Sequence, residues 1–354
     1  MSILQCIRPE LRSLRPYQAA EQVDDTIRLN ANEAPWSASA DNFRRPLNRY
    51  PEVRPARLSK TLAEIYGCDT RNLVITRGTS EGIDLLIRVF CSADRDSIVT
   101  VTPTFSMYRH YAAVQGARVI DFAVSPDNDF AIDVDALMAV CDETVRIVFL
   151  CSPNNPTGNS LALADLVRIL QRCDEQAAVV VDEAYIEYSE HASVVDLLPD
   201  YENLIVLRTL SKALGCAGAR CGSVIAAEAA ANVLAAVQSP YALATPVVEC
   251  IENALADNGF TAASQRAAET SRERVELVSA ITEFGFVDHV WPSDANFFLM
   301  RVTDAPEVMR HCASHGVLLR DFGKDMPGCI RVSVGSATEN QRLLDVLGSV
   351  EGFS

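Results

Sequence analysis

The chain has 354 residues, 49% hydrophobic and 22% charged, and its 31 basic against 47 acidic residues give a formal net charge of −16. That length supports a large core and two domains, and the composition is that of an ordinary soluble globular protein. The acidic surplus excludes nonspecific nucleic-acid or anionic-membrane binding, and no apolar run approaches the ~20 residues needed to cross a bilayer.

In chain order, residues 1–45 show little periodicity and are interrupted by Pro9, Pro16 and Pro35, with Pro46 just beyond, so they read as an arm packed on the rest. The opening "MSILQCIRPELRSLRP" has no apolar core and no small-residue cleavage site, which predicts no signal peptide and a cytoplasmic protein. Residues 46–250 read as a large domain. Its strand candidates are "NLVITRG", "SIVTVTP", "ARVIDFAV", "VRIVFLCSP", "AAVVVDEAY", "LIVLRT" and "CGSVIA", with amphipathic stretches such as "EGIDLLIRVF" and "LADLVRILQRC" between them. Continuous apolar strands alternating with helices predict an α/β fold whose mainly parallel sheet is covered on both faces. Ligands bind such sheets outside the carboxyl ends of the strands.

Residues 251–354 change character and read as a smaller α+β domain. "AASQRAAETSRERVELVSAITEFG" forms one long charged helix, followed by "HVWPSDANFFLMRV", a helix around His311, "VLLRDFG", "CIRVSVG" and a final helix "TENQRLLDVLGSV". His311 and His315 stand four apart in "APEVMRHCASHG", but no acidic residue lies between them and no third ligand is evident, so they read as partly exposed helix histidines and no metal is expected. The eleven cysteines include no C-x-x-C pair, a pattern of reduced, mostly buried thiols and not of a redox, metal or disulfide framework.

Chemistry gathers at four strand ends: "RGTSEG", "SPNNPTG", "DEAY" and "RTLSK". Lys212 lies after "LIVLRT" with Thr209, Ser211 and Arg220 around it. Lysine is rarely buried alone, so it is paired, half exposed, or used as a neutral amine that attacks a carbonyl. The hydroxyls and guanidinium suit a phosphate ester, and "RGTSEG" adds a glycine and a helix start whose free N–H groups attract anions. Asp182 ends a buried strand and needs a cationic partner. Asn155 and Tyr185 are donors for a phenolate oxygen. An aldehyde-bearing pyridine with a 3-oxygen and a 5-phosphate, pyridoxal 5′-phosphate, asks for this set.

Together "SPNNPTG", "DEAYIEY", "TLSKALGCAGARCG", "RGTSEG" and "LLRD…IRVSVG" resemble the fold-type I pyridoxal-phosphate-dependent aminotransferases. With "LRPYQ", "IRLNANEAPW" and "LNRYPE" at the front, the resemblance narrows to the histidinol-phosphate aminotransferase family and spans residues 8 to 345 or so. It implies Lys212 as cofactor lysine and proton carrier, Asp182 as partner of the pyridinium, Asn155 and Tyr185 at the 3-oxygen, and Phe105 stacked on the ring where relatives often carry tyrosine. Thr79, Ser80, Thr209, Ser211 and Arg220 would hold the phosphate, with Tyr50 reaching it from the neighbouring subunit of a homodimer. Tyr17, Asn155, Arg320 and Arg331 would bind substrate, although Arg320 could instead pair with Asp321. The implied reaction exchanges an amino group between histidinol phosphate and 2-oxoglutarate or glutamate in histidine biosynthesis. An aromatic amino-acid aminotransferase and a threonine-phosphate decarboxylase share the fold and the lysine. A noncatalytic pyridoxal-phosphate-binding regulator would add a basic helix-turn-helix segment that this sequence does not show. The small residues of "GCAG" between Lys212 and Arg220 have no assigned role.

Overall fold

The computed structural model describes residues 2–18, 20, 22 and 26–350. Helix α1 (Ala56–Tyr66) closes on Gly67, whose φ of +70° supplies a left-handed C-cap. It leads to β1 (Leu73–Thr76), α2 (Thr79–Phe90), β2 (Ser97–Thr102), α3 (Met107–Gln115) and β3 (Arg118–Ala123). Then come α4 (Val134–Ala139), β4 (Val145–Cys151), α5 (Leu163–Arg172), β5 (Ala178–Asp182), β6 (Leu204–Thr209), β7 (Gly222–Ala226), α6 (Glu228–Val237) and α7 (Thr245–Leu255). All seven expected strands form, and they make one sheet in the order β1-β7-β6-β5-β4-β2-β3. β7 pairs antiparallel with both β1 and β6, while the neighbours from β6 to β3 are parallel.

Helices cover both faces for the reason their periodicity suggested. In α5, Leu166, Ile169 and Leu170 recur at helical spacing and are buried against one face, and α2 buries Ile83, Leu86, Ile87 and Phe90 against the other. The central strands carry apolar side chains to both faces, so β5 and β6 are buried along their whole length. Behind their carboxyl ends, buried Arg208 pairs with Glu183 (3.5 Å) and Glu187 (2.8 Å) and lies over the Tyr66 ring. This ties β6 to the chain leaving β5. The start of the expected arm docks through Ile3, Cys6 and Ile7, which are buried in the same core as α2 and α6, whereas Ile27 and Leu29 are 90% exposed.

The remaining elements are α8 (Gly259–Ile281), β8 (Val287–Val290), β9 (Phe297–Val302), α9 (Ala305–Ser314), β10 (Arg320–Asp321), β11 (Cys329–Ser333) and α10 (Ala337–Leu347). Their antiparallel sheet, ordered β10-β11-β9-β8, packs Phe298, Met300, Ile330 and Val332 against α8, α9 and α10. Helix α9 ends before His315, which is its C-cap, and the two histidine rings lie 4.3 Å apart. All eleven cysteines are free; Cys250 is exposed and the others are buried or half-buried.

Candidate active site

The ends of β4, β5 and β6 and the start of α2 surround a cavity of about 130 Å³. Its lining includes Thr79, Ser80, Phe105, Asn155, Asp182, Tyr185, Thr209, Ser211, Lys212 and Arg220, with Cys151 and Ala184 completing it. Residues up to 141 positions apart in the chain, from Thr79 to Arg220, thus meet because parallel strands place all their carboxyl ends at one edge.

Asp182 closes β5 at the cavity floor and is 2% exposed. One carboxylate oxygen accepts the Tyr108 hydroxyl (2.8 Å) and the other the Ala184 N–H (3.2 Å). Burial pushes its pKa up to about 6, while Tyr108, Ala184 and the nearby Lys212 pull the other way. Tyr108 was not anticipated from the sequence. It is fully buried at the second position of α3, stacked on Phe149 of β4 (4.6 Å) and edge-on to Phe105 (5.7 Å). Burial holds its hydroxyl well above the ordinary tyrosine range, so it donates to Asp182 throughout the working pH range. The available signal was its position one helical turn after Phe105 in "FSMY". Cys151, the other unanticipated lining residue, is also kept protonated by burial and gives its S–H to the Pro153 carbonyl.

Lys212 stands three residues past the end of β6, in the cavity mouth. Burial of its amine lowers its pKa first, and the Arg331 and Arg220 charges lower it further, against the pull of Asp182. This is the environment that a nucleophilic amine needs. Opposite it, the N-terminus of α2 offers the free N–H groups of Thr79 and Ser80. The Thr209 hydroxyl donates to Ser211 (2.9 Å), and the Arg220 guanidinium donates to Ser211 (3.5 Å) and the Ala217 carbonyl (3.1 Å). Arg220 has no carboxylate partner among the described residues.

Two glycines shape this cradle. Gly78 has a φ of +77°, and a Cβ there would lie 2.6 Å from Arg220 Nη2. A Cβ on Gly222 would lie 2.8 Å from both the Gly78 carbonyl carbon and the Thr79 nitrogen. Those are backbone atoms of the anion-binding turn and have nowhere to retreat. Gly222→Ala is therefore expected to displace the start of α2 and weaken phosphate binding at least about tenfold, with an overpacking cost of roughly 1–3 kcal/mol in stability. Equilibrium dialysis with pyridoxal phosphate and a denaturant melt check both; wild-type affinity would show that the turn does not hold the phosphate.

Asn155 and Tyr185 form the opposite wall. The Asn155 amide donates to the Tyr185 hydroxyl (3.3 Å), and its carbonyl accepts from Arg331 Nη1. Arg331 projects from β11 and meets the cavity at its rim through this bond. It has no carboxylate partner among the described residues, and its buried Nε is unsatisfied. Its guanidinium instead lies over the rings of Phe297 (5.1 Å) and Phe322 (5.5 Å), which the sequence did not suggest. Aromatic faces stabilise the cation, and the guanidinium N–H groups not engaged by Asn155 remain for an anion. Arg320 faces Arg331 directly in the β10–β11 register. It makes no ion pair with Asp321, whose carboxylate accepts from the Gly323 N–H (2.7 Å). Two cations therefore share one face, an arrangement that favours an anionic ligand.

The donor set fits the expected cofactor. A buried carboxylate that makes no ion pair among the described residues suits a pyridinium, the Asn155–Tyr185 pair suits a phenolate oxygen, the α2 cradle suits a phosphate, and the depressed lysine suits an aldehyde. Tyr17 and Tyr50 do not join them: neither lines the cavity of its own chain, and both pack on Tyr241.

A family model for class I and II aminotransferases matches residues 23–347. A histidinol-phosphate aminotransferase of Salmonella choleraesuis (strain SC-B67) is 38% identical over 351 residues, 98% of this chain and 97% of that protein. The crystal structure of the Clostridium acetobutylicum histidinol-phosphate aminotransferase superposes with a TM-score of 0.78 at 22% identity, covering 86% of this chain and 91% of that one. The Sinorhizobium meliloti histidinol-phosphate aminotransferase, solved in complex with pyridoxal 5′-phosphate, gives 0.75 at 23% identity, covering 86% and 84%.

Proposed function

The chain belongs to the class I and II aminotransferases, and from that membership we propose that it is a pyridoxal-phosphate-dependent histidinol-phosphate aminotransferase. It transfers an amino group between histidinol phosphate and 2-oxoglutarate or glutamate in histidine biosynthesis, as a cytoplasmic homodimer. The observation that carries the reading is one cavity joining the Lys212 amine, the Asp182 carboxylate and the α2 phosphate cradle, with an uncompensated guanidinium at its rim.

Bound there, the cofactor supplies a protonated pyridine ring that accepts the electron pair released at the substrate's Cα. The Asp182 carboxylate holds the ring proton, and Tyr108 and Ala184 hold Asp182. Asn155 and Tyr185 would hold the ring's 3-oxygen, and Phe105, which lines the same cavity, would offer its face to the ring. Lys212, whose amine would meet the cofactor's aldehyde, would also serve as the base that moves the proton from Cα. Arg331 and Arg320 hold the anionic end of whichever substrate is present, a carboxylate of glutamate or the phosphate of histidinol phosphate, by planar charge-assisted hydrogen bonds. Tyr50 is half exposed and lies away from its own chain's cavity, which supports its use by the neighbouring subunit.

The test is to add histidinol phosphate to the cofactor-loaded protein without any keto acid and follow the visible absorbance of the bound cofactor. Loss of the band at low substrate, and its return with 2-oxoglutarate, are expected. Conversion by phenylalanine but not by histidinol phosphate would retain the transaminase and replace the substrate.

A further inference from the structure

The residues of the cavity stand on two chain segments that are leaving the sheet. The register of β5 on β6 ends with Asp182 opposite Leu207, and one backbone bond follows, from the Glu183 N–H to the Leu207 carbonyl (3.0 Å). Among the described residues no later backbone bond joins the two segments. Tyr185 lies past that point on one segment, and Thr209, Ser211 and Lys212 lie past it on the other. Yet Lys212 Nζ sits 5.3 Å from the centre of the Tyr185 ring, so something must hold the spacing.

Side chains do so. Arg208 pairs with Glu183 (3.5 Å) and Glu187 (2.8 Å), which flank Tyr185 in the chain. It also donates to Ser193 Oγ (3.4 Å), and Glu183 accepts the Ser193 hydroxyl (2.6 Å) and the Val194 N–H (2.7 Å). Stability does not account for this cluster. Buried ions offset their lost hydration only when the remaining donors and acceptors are met. Here Arg208 Nε and Glu187 Oε2 are buried without a hydrogen-bond partner among the described residues. Two carboxylates share one guanidinium, and burial pushes the Glu183 pKa up against the pull of Arg208. Apolar side chains of the same volume would be at least as stable. They would lack the directional, charge-assisted bonds that fix one segment against the other.

We propose that Arg208 is a positioning residue: its grip on Glu183 and Glu187 sets the segment carrying Asp182 and Tyr185 against the segment carrying Thr209, Ser211 and Lys212. This rests on the reading above that these residues act on one cofactor. Arg208 does not line the cavity, so its effect passes through their spacing. A misplacement of about 1 Å can slow a reaction roughly 10²-fold. The loss should therefore fall on the chemical step and not on substrate capture, which the same reading assigns to Arg331 and Arg320.

Replacing Arg208 alone strands two buried carboxylates and can unfold the chain, so the test variant combines Arg208→Met, Glu183→Gln and Glu187→Met. It keeps the volume and removes the buried charge, and an amide at position 183 still accepts the Val194 N–H. It is expected to melt at or above the wild-type temperature, yet turn over roughly 10- to 100-fold more slowly, with both KM values within about twofold. The second readout uses the cofactor-free protein. The chain has three lysines, Lys60, Lys212 and Lys324, so a carbon-13 lysine label gives three side-chain signals, and Lys212→Ala identifies the one at the site. Neither Arg208 nor its two acids are among the charges that act on Lys212. A shift in its titration therefore reports movement. A loosened segment admits water, and the depressed Lys212 pKa should rise toward the ordinary lysine value. An unchanged Lys212 titration, or wild-type turnover in the folded triple variant, overturns the proposal. If wild-type protein itself does not turn over histidinol phosphate, the substrate reading falls, while the Lys212 titration still tests Arg208.

Discussion

Lys212→Ala is expected to abolish transamination, with a loss of at least about 10⁴-fold, because on the proposed reading one substitution removes both the covalent attachment and the general base. Nothing else in the cavity replaces it. Cys151 is held protonated by burial, Tyr185 is likewise pushed far above neutrality, and the Arg220 and Arg331 guanidiniums do not give up protons. Stability should be unaffected or slightly improved, since the variant removes an amine whose charged form is disfavoured where it sits. Single-turnover kinetics and a thermal melt measure the two effects. Turnover within tenfold of wild type would mean that the proton at Cα moves by another route.

Asp182→Asn is the second large effect, with an expected fall in turnover of roughly 10²–10³-fold, the range for removing one preorganised electrostatic partner. An amide accepts no proton from the ring and leaves the Tyr108 hydroxyl with a weaker acceptor. The same carboxylate has a signature in the cofactor-free protein. Its pKa is about 6 in the fold against an ordinary value of 3.8, so between those values the folded state binds the proton more tightly than the unfolded chain does. Stability therefore falls as pH rises from about 4 to about 6, by roughly 3 kcal/mol at most, and is flat in this respect above. Asp182→Asn should remove that slope. Cofactor binding runs oppositely, because a protonated ring needs the ionised carboxylate: affinity should improve as pH rises past 6. Melts and dialysis between pH 4.5 and 7.5 separate the two trends, and a variant that kept the wild-type slope would show that another buried acid causes it.

Much of this site was legible because strand ends are local features. Each of "RGTSEG", "SPNNPTG", "DEAY" and "RTLSK" follows a short apolar run, and one rule about parallel sheets brings them together. The contacts that refine the site were not legible, for they join residues far apart. Tyr108 meets Asp182 across 74 positions, and Phe297 reaches Arg331 only because β9 and β11 are neighbours. The reversed direction of β7 could not be read either. Its apolar pattern is that of its parallel neighbours, and only its short connection from β6 permits the turn. The docking of Ile3 and Ile7 went unseen because a stretch of that length carries too few apolar residues to show a period.

The bond between Asn155 and Arg331 has a consequence for exchange. On the proposed reading two dissimilar guests would use one grip in alternation, each leaving before the other enters. A guanidinium clamped by a protein carboxylate would refuse both, and one left bare would hold each product too long. An amide carbonyl is a resting place of intermediate strength. If Arg331 is the grip, as proposed, an arriving anion would have to take it from Asn155, and a departing one would be helped off as Asn155 takes it back. On the proposed reading the same amide would also face the phenolate oxygen, so vacating the grip would be felt at the ring and would link the departure of one guest to readiness for the next.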